Sequence, residues 1–509
     1  MQKQGGNMDM QQSLTSKLPK YIPILVLTIF LAILSAYSHP ALLYSFGILI
    51  YVFLVFLAIN ENLIKAVLPV YLFIILFQDT IAVNLELLSP SLGLVANYMD
   101  EAFLLVGLSA LAINFLKGKK IIGGIVFACL CSIAGLGFFS GMLNAVPFSI
   151  SLLGAFLVMK GLLYLFLFMN FTYSEQDLKR YVIWAKRYVA IVLIFAVVDL
   201  LLGKNYRYLL NITYEDSVQR GAIHSLTSLF MHPGIYGWFL VFAGIYALAA
   251  FKVKKEKYLL ALAGLLFLFG MLSFRFKAMM AVLVVLAIFY ILKGYKKVLT
   301  CLLPLFLVLL FFSLFAGSFI NELTSSTINN YVTADIYDSA RKALYVIAYE
   351  IGITNFPFGE GFGRYGGFIS KEYYSPVYYE YGINVTYGLS PDFPSFITDT
   401  YWPHIVGEIG FIGATIVAGL YSYLAVRLLK NYSKMTSDNI KIFLLFAGLV
   451  MVQAIVESLG EPIFNGAPQN VFIFVSLGIA FSLLSRAGKV KNSKVAPWTL
   501  AGQSDHPKE

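Results

Sequence analysis

The stretch "LFGMLSFRFKAMMAVLVV" (residues 267–284) joins two apolar segments through a short turn that carries two cations. Arg275 and Lys277 are its only charged residues, and no acidic residue lies nearby in the sequence to pair with them. A cation inside an apolar run is costly in a membrane unless it reaches the surface. The stretch therefore predicts a hairpin between two membrane helices, with both cations at the turn.

The composition extends this pattern to the whole chain of 509 residues. Hydrophobic residues make up 59% and charged residues 13%, well below the charged fraction of a typical soluble protein. Apolar runs of roughly 20 residues recur and are continuous, which predicts an all-α polytopic membrane protein and excludes barrel strands. The three cysteines lie in apolar segments, and no P-loop, dinucleotide fingerprint or zinc-ligand spacing appears. We therefore expect neither a metal site nor a bound cofactor.

About 14 membrane helices are predicted, and they divide the chain into five parts. Residues 1–20 form a first tail, and 21–317 hold helices 1 to 11 with an outward loop at 203–231. Residues 318–402 form one large, partly helical extracytoplasmic loop, 403–486 hold the last three helices, and 487–509 form a second tail. The helices are predicted at 21–38, 41–59, 63–80, 97–116, 121–139, 147–170, 182–202, 232–251, 258–273, 277–292, 298–317, 403–427, 440–459 and 468–486.

Lysine and arginine predict the orientation, because cytoplasmic segments of membrane proteins retain positive charge. With the N-terminus inside, 27 of the 37 Lys and Arg residues fall in inside segments, and both tails are cytoplasmic. This bias explains the net charge of +10 without any nucleic-acid partner. The lysines and arginines predicted on the outer side lie in the two long loops and in the turn at residues 273–277, which we call the 275 hairpin. We therefore expect any chemistry on the outer side. These cations are Lys204, Arg207, Arg220, Arg275, Lys277, Arg341, Lys342, Arg364 and Lys371.

Four segments carry an ordered set of motifs. "ARKALYVIAYEIGITNFPFGEGFGRYGGF" (340–368) has an Arg, an amphipathic helix, an Asn-x-Pro step and a Gly-x-Gly turn. "TYWPHIVGEIGFIGATIVAGL" (400–420) has a His at a helix start followed by Glu-x-Gly-x-x-Gly, and "FMHPGIYGWFLVFA" (230–243) has a His-Pro helix start. With the basic hairpin, these segments resemble the O-antigen polymerase and O-antigen ligase superfamily. Two departures are that no Asn follows His404 and that the hairpin reads Ser-Phe-Arg-Phe-Lys.

The resemblance implies a GT-C-like, metal-independent glycosyltransferase of the bacterial cytoplasmic (inner) membrane. Its members transfer an oligosaccharide from undecaprenyl pyrophosphate on the outer face of that membrane. The leading expectation is a polysaccharide polymerase that extends another lipid-linked repeat. The alternative is a ligase that transfers the glycan to a lipid or protein acceptor, and a lipid-linked oligosaccharide flippase ranks lower. The expected partners are the lipid-linked oligosaccharide and membrane lipids, with a flippase and a chain-length regulator as further candidates.

The residues fit this reaction chemically. A pyrophosphate leaving group needs fixed cations where no metal supplies the charge, and the candidates are Arg275, Lys277 and Arg341. Arg220, Arg364 and His232 are less certain ligands. A sugar hydroxyl needs a base as it attacks, and either His404 or Glu408, one helical turn apart, is a candidate. In the tyrosine-rich stretch 373–387, side chains such as Tyr378 and Tyr379 offer faces for stacking on sugar rings.

Each candidate also has a purely structural interpretation. The hairpin cations are then lipid-headgroup anchors, Arg341 pairs with Asp338, and Arg364 pairs with Glu360. His232 and His404 mark helix starts next to proline, Glu408 bonds locally, and the tyrosines pack within the loop or anchor it at the interface. Three ionisable residues fall in apolar segments, and we expect Lys160 to pair with Asp199 or Glu457 inside the bundle.

Overall fold

The computed structural model describes residues 40–211, 219–220, 223–292 and 335–493. The helices predicted at 21–38 and 298–317 lie outside the described residues, as does the first tail. The chain separates into two compact units, of which the first holds Met1–Ala66 and Phe103–Lys120. The second holds Val67–Ala102 and Ile121–Glu509, and it contains every candidate site residue.

The described residues contain eighteen α-helices, two short 3₁₀ helices (Ile383–Val385 and Tyr432–Lys434) and one two-stranded hairpin. In the first half of the chain the helices are α1 Pro40–Ala58, α2 Glu61–Leu76, α3 Gln78–Glu86, α4 Pro90–Asn97, α5 Met99–Leu116, α6 Gly124–Leu143, α7 Phe148–Met169, α8 Glu175–Leu202 and α9 Lys204–Leu209. The antiparallel strands are β1 Gln219–Arg220 and β2 Ile223–His224. The remaining helices are α10 Pro233–Lys254, α11 Lys257–Met271, α12 Phe276–Ile291, α13 Ala340–Thr354, α14 Phe368–Glu372, α15 Val377–Glu380, α16 Trp402–Asn431, α17 Asp438–Glu457 and α18 Gln469–Ser493.

Seven of these helices are long and apolar enough to span a membrane, namely α5, α6, α7, α10, α16, α17 and α18. An eighth span exists if Gly47–Ala58 and Glu61–Leu76 form one bent pair, and α11 and α12 are shorter apolar helices. The prediction of a helical membrane protein is therefore confirmed at this level, while a count of about 14 is not. Every range predicted within the described residues does contain a helix.

Two predicted helices differ in their bounds for local reasons. The range 63–80, predicted as one helix, contains two: α2 ends at Leu76 and α3 begins at Gln78. Helix α8 begins at Glu175, well before the predicted start at 182, because Ser174 and Asp177 form a capping box. Such a box satisfies backbone N–H groups at a polar helix start, where hydropathy gives no signal.

The described part of the predicted loop 318–402 has a core of its own. Helix α13 buries one face, including Leu344 and Ile347, against the tyrosine-bearing segments that follow it. Tyr365 and Tyr378 are fully buried in this core. The loop is therefore a packed, partly helical structure that lies along the start of α16, since α13 and α16 are in contact.

Helix α10 lies near the centre of the second unit and packs against α11, α12, α17 and α18. The turn between α11 and α12 approaches it closely, because a Cβ on Gly237 would lie 2.4 Å from Ser273 Oγ. Helix α17 in turn packs against α12, α16 and α18. These contacts bring together the start of α10, the α11–α12 turn, the start of α16 and the α17–α18 loop.

Lys160 has acidic partners other than the two expected. Its Nζ lies 2.8 Å from Asp100 Oδ2 and 2.7 Å from Glu101 Oε1, so pairing with Asp199 or Glu457 was the wrong prediction. Asp199 is fully buried and accepts hydrogen bonds from the backbone N–H groups of Thr227 and Ser228. It also lies 3.3 Å from both Arg207 Nε and His224 Nε2, and thereby anchors the 203–231 segment to α8.

Candidate functional site

The turn between α11 and α12 presents the two cations that interrupt the apolar run. Phe274 has a left-handed backbone (φ +53°) and is buried with Ser273, while Arg275 forms the N-cap of α12. Cations are unfavourable at a helix N-terminus, because the helix dipole is positive there. Arg275 is half-buried, and its Nη2 is a buried atom without a hydrogen-bond partner among the described residues. The turn therefore places an unsatisfied cation at a positive helix end.

Lys277 is neutralised by a residue that the sequence analysis did not select. Its Nζ lies 2.5 Å from Oε1 of Glu461, which belongs to the loop between α17 and α18. Burial raises the pKa of Glu461, but Lys277 outweighs this effect and, with Arg275 among the smaller contributions, holds that pKa below its usual value. The second carboxylate oxygen, Oε2, is buried and has no hydrogen-bond partner in the described part of the chain. Glu461 is therefore an ionised acceptor beside both cations.

His232 caps α10 and lies beside the same cations. Its Nδ1 accepts a hydrogen bond of 2.8 Å from the backbone N–H of Gly234, with Pro233 in the first turn. Burial, reinforced by nearby Arg275, lowers the pKa of His232 to about 3. The ring is therefore neutral near pH 7, which agrees with the helix-start interpretation.

Arg341 joins this group from α13. Its Nη2 lies 2.8 Å from Asp399 Oδ2, so its carboxylate partner is Asp399 and not the neighbouring Asp338. Burial raises the pKa of Asp399, and the Arg341 guanidinium opposes that shift. Arg341 also interacts electrostatically with His232, as do Arg275 and Lys277.

We call this set the basic cluster. It consists of three cations, the two carboxylates paired with them and one neutral histidine: Arg275, Lys277, Arg341, Glu461, Asp399 and His232. Glu457, the last residue of α17, lies four positions before Glu461; it is buried and accepts a 2.9 Å hydrogen bond from Gln453. In this cluster the cations outnumber the carboxylates that pair with them, and Arg275 Nη2 is a buried donor without a partner in the described part of the chain. Such an arrangement favours an anionic ligand with several oxygens, which arginine binds by forked hydrogen bonds.

His404 and Glu408 occupy the start of α16 and are almost completely buried, with 4% and 1% exposure. His404 Nδ1 lies 3.1 Å from the Asn465 amide, and Nε2 lies 3.3 Å from Glu408 Oε2. The other Glu408 oxygen, Oε1, accepts a 2.8 Å hydrogen bond from the backbone N–H of Gly363. The loop that supplies Glu461 to the basic cluster thus also contacts His404, through Asn465.

A segment that we call the glycine loop, residues 357–367, runs along the first turns of α16. The helix is interrupted at Gly410 (φ +70°), where a Cβ would lie 2.4 Å from the Pro357 carbonyl oxygen. The interruption coincides with two carbonyls that bond outward: Glu360 N–H donates to Gly407 and Gly361 N–H to Glu408, at 2.8 and 2.9 Å. The Glu-x-Gly motif therefore docks the glycine loop against the helix.

Arg364 lies within the glycine loop and is not in a direct ion pair with Glu360. Glu360 instead accepts a 2.6 Å hydrogen bond from the Asn355 amide, while Arg364 affects it only electrostatically. Burial raises the pKa of Glu360. Arg364 Nε is buried and has no hydrogen-bond partner among the residues described. Arg220, the other less certain ligand, lies in strand β1.

The two tyrosines selected for sugar stacking have different environments. Tyr378 is fully buried, accepts a 2.9 Å hydrogen bond from Gly366 N–H and lies 2.8 Å from Ser370 Oγ. Its ring is covered by the loop core, so it supports the glycine loop and offers no face to a sugar. Tyr379 is 54% exposed and keeps an accessible face.

Three residues of this region were missed by the sequence analysis: Glu461, Asp399 and Asn465. All three lie in predicted outer segments, where only lysine and arginine were counted. The two acids nevertheless pair with the cations that were selected there, Glu461 with Lys277 and Asp399 with Arg341. A search for acids near the ends of the predicted helices would have found Glu461, next to Pro462 and just after α17. Within the described residues, no three His, Cys, Asp or Glu side chains are grouped to hold a metal ion.

Comparison with known proteins gives no family assignment. No protein-family model matches the chain, and no curated protein matches it. The likeness to the O-antigen polymerase and ligase superfamily therefore stays a prediction, carried by the four motifs and their order. What the arrangement offers chemically is a partly buried anion site beside two carboxylates, at the ends of apolar helices.

Proposed function

We propose that this chain is a polysaccharide polymerase that uses a glycan linked to undecaprenyl pyrophosphate. It transfers that glycan onto a sugar hydroxyl of another lipid-linked repeat, on the outer face of the bacterial cytoplasmic membrane. Both tails are cytoplasmic in this proposal. The proposal keeps the sequence-based expectation of about 14 membrane helices and a GT-C-like architecture.

One observation carries the proposal: at the start of α12, beside Lys277, the buried Arg275 Nη2 has no hydrogen-bond partner among the residues that the structure describes. A buried charged donor without a partner is expensive, so a site that keeps one is built for a ligand that supplies the acceptor. Arg341 adds a third cation from the packed loop. A pyrophosphate offers enough oxygens to engage all three groups at once.

The position of the cluster supports a lipid-linked donor in particular. Arg275 lies at the junction of two apolar helices, α11 and α12, and several of their large apolar side chains are exposed, such as Leu265 and Leu268. A ligand held there has its charged group at the helix ends and apolar helix surface beside it. This is the placement that an amphiphilic polyprenyl pyrophosphate requires.

The four motifs also lie together in the folded chain. His232 and the 275 hairpin share the basic cluster with Arg341, while the Gly-x-Gly turn docks onto His404 and Glu408. Motifs separated by up to 190 residues or so thus form one region, which supports their interpretation as parts of one site. A ligase would use the same donor site and differ only in the acceptor.

The test uses the purified protein in lipid nanodiscs with polyprenyl-pyrophosphate-linked glycan, extracted from the cells that make the protein, as the only sugar. A polymerase gives a ladder of longer lipid-linked products. A product that forms only when a second acceptor lipid is added identifies a ligase. Translocation of labelled lipid without a new glycosidic bond would identify a transporter and reject both enzymes.

A further inference from the structure

Glycosyl transfer to a hydroxyl needs a group that removes the hydroxyl proton, and the buried pair on α16 is poorly placed to do so. Both ring nitrogens of His404 face protein groups, the Asn465 amide at 3.1 Å and the Glu408 carboxylate at 3.3 Å. Glu408 uses Oε1 to hold Gly363 N–H, and its side chain is 1% exposed. Glu408 Oε2 makes no hydrogen bond within the described residues, but it faces His404 Nε2 in a pair whose side chains are only 5% and 1% exposed. The pair is therefore closed to an incoming sugar hydroxyl.

The basic cluster contains two other carboxylates, and they are not equivalent. Asp399 lies 2.8 Å from the Arg341 guanidinium at the edge of the packed loop. Glu461 lies directly beside Lys277 and close to Arg275, with Oε1 on the ammonium and Oε2 unpartnered within the described residues. A buried carboxylate oxygen without a donor has the free acceptor capacity that a hydroxyl proton needs. Glu408 also has such an oxygen, but its side chain is 1% exposed, whereas that of Glu461 is 13% exposed and lies on Lys277. Glu461 is therefore the accessible acid with the geometry of a proton acceptor next to the anion site.

We propose that Glu461 accepts the proton of the attacking sugar hydroxyl, an inference that rests on the proposed function. The hydroxyl oxygen forms a bond to the anomeric carbon as the bond from that carbon to the pyrophosphate oxygen breaks. The electron pair of the broken bond leaves with the pyrophosphate, which Arg275 and Lys277 hold. The hydroxyl proton passes to the Glu461 carboxylate.

Binding of the donor would activate this carboxylate. Glu461 faces Lys277, Arg275 and His232 from α12 and α10, and it also interacts with Glu457 and Asp399. When pyrophosphate oxygens engage Lys277 and Arg275, they offset the positive charge that keeps Glu461 a weak base. The donor thus converts the counter-ion of Lys277 into a stronger base at the place where the hydroxyl attacks.

The experiment compares wild type, Glu461→Gln and Glu461→Asp, with the exposed Glu372→Gln on α14 as the matched control. Transfer is followed with the extracted lipid-linked glycan, and anion binding by the melting shift that inorganic pyrophosphate produces. We expect Glu461→Gln to slow transfer on the order of 100-fold or more. Its pyrophosphate shift should equal or exceed that of wild type, because a repelling carboxylate is gone. Glu461→Asp should keep part of the rate, and Glu372→Gln all of it.

The pH profile gives a second readout. The acidic limb of the rate should disappear in Glu461→Gln and persist in Glu372→Gln. The inference is overturned if Glu461→Gln stays within about threefold of wild type, or if it loses rate and pyrophosphate shift together, since Glu461 would then only position Lys277. If wild type itself shows no pyrophosphate shift and forms no glycosidic bond, the proposed function fails and this inference fails with it.

Discussion

The ion pairs of Lys160 allow a quantitative prediction about the bundle. Its Nζ is held at 2.8 and 2.7 Å by two carboxylates, and the exposed side-chain fractions are 5% for Lys160, 2% for Asp100 and 17% for Glu101. Lys160→Met removes the only cation paired with these acids among the described residues and leaves two carboxylates in an apolar bundle. Removing one partner of a buried pair costs about 3–5 kcal/mol, so we expect a loss of that size in the free energy of unfolding.

The measurement is unfolding in mixed detergent micelles titrated with SDS and followed by circular dichroism. Lys441→Met is the matched control, because Lys441 also pairs with an acid, Asp438 at 2.9 Å, but in an exposed position. An exposed pair contributes about 0–1 kcal/mol, so the control should unfold almost as wild type does. The triple variant Lys160→Met, Asp100→Asn, Glu101→Gln should recover most of the loss, since it leaves no buried charge unpaired. The reasoning is refuted if Lys160→Met matches the Lys441 control, or if the triple variant is no more stable than Lys160→Met.

Three further predictions concern the structure around the site. Gly410→Ala should destabilise the protein by about 2 kcal/mol or more, because the backbone is left-handed there and the new Cβ would meet the Pro357 carbonyl. Gly419→Ala, in open space on the same helix, should be neutral or stabilising. Equal melting temperatures of the two variants would contradict this prediction. Tyr378→Phe should lower the free energy of unfolding by about 1–3 kcal/mol, because Gly366 N–H loses its acceptor. Tyr379→Phe, at an exposed position, should not lower it. Thermal unfolding of both variants tests this, and equal stabilities would contradict it. The pKa of His232, about 3, lies below the usual histidine value of 6.5, so the melting temperature of wild type should fall as the pH falls below about 6.5. His232→Asn should remove this dependence while keeping the cap, and an unchanged slope of melting temperature against pH would refute the prediction.

The helices of the bundle could be predicted because a backbone in an apolar run must satisfy its own hydrogen bonds. The predicted range 147–170 corresponds to α7 at Phe148–Met169, and 403–427 to α16 at Trp402–Asn431. Errors arose where polar residues continue a helix, as at the start of α8, or where a helix breaks inside an apolar run, as at Phe77. Hydropathy responds to neither event.

The partners of the charged side chains could not be predicted, because they come from distant segments. Arg341 pairs with Asp399, 58 positions away, although Asp338 stands three positions from it, and Lys160 pairs with acids about 60 positions earlier. Sequence spacing reports neighbours on one helix only. The pairing of Glu461 with Lys277 could not be predicted for the same reason, since only the folded chain places the α17–α18 loop against the 275 hairpin.

In the folded chain, some motif residues have a structural role and others keep the features of a binding site, and the motifs alone do not distinguish the two. From the sequence, the glutamate of the Glu-x-Gly motif is a candidate base at the start of a helix. In the structure, Glu408 and Gly410 dock the glycine loop onto α16. By contrast, Arg275 of the 275 hairpin is partly buried and keeps one donor without a partner within the described residues, as suits a phosphate-binding role.

The most direct test of the account is the formation of a product ladder by an Arg275→Ala variant supplied with the extracted polyprenyl-pyrophosphate-linked glycan as the only sugar. Arg427→Ala is the control, since Arg427 is an exposed arginine on α16 that packs over Tyr423, away from the basic cluster. A lost charge-assisted contact of about 1.5–3 kcal/mol corresponds to roughly 10- to 150-fold in rate. We predict that Arg275→Ala loses the ladder by at least this factor while melting as wild type does, and that Arg427→Ala keeps it. A full ladder from Arg275→Ala would contradict the assignment of the leaving pyrophosphate to this hairpin.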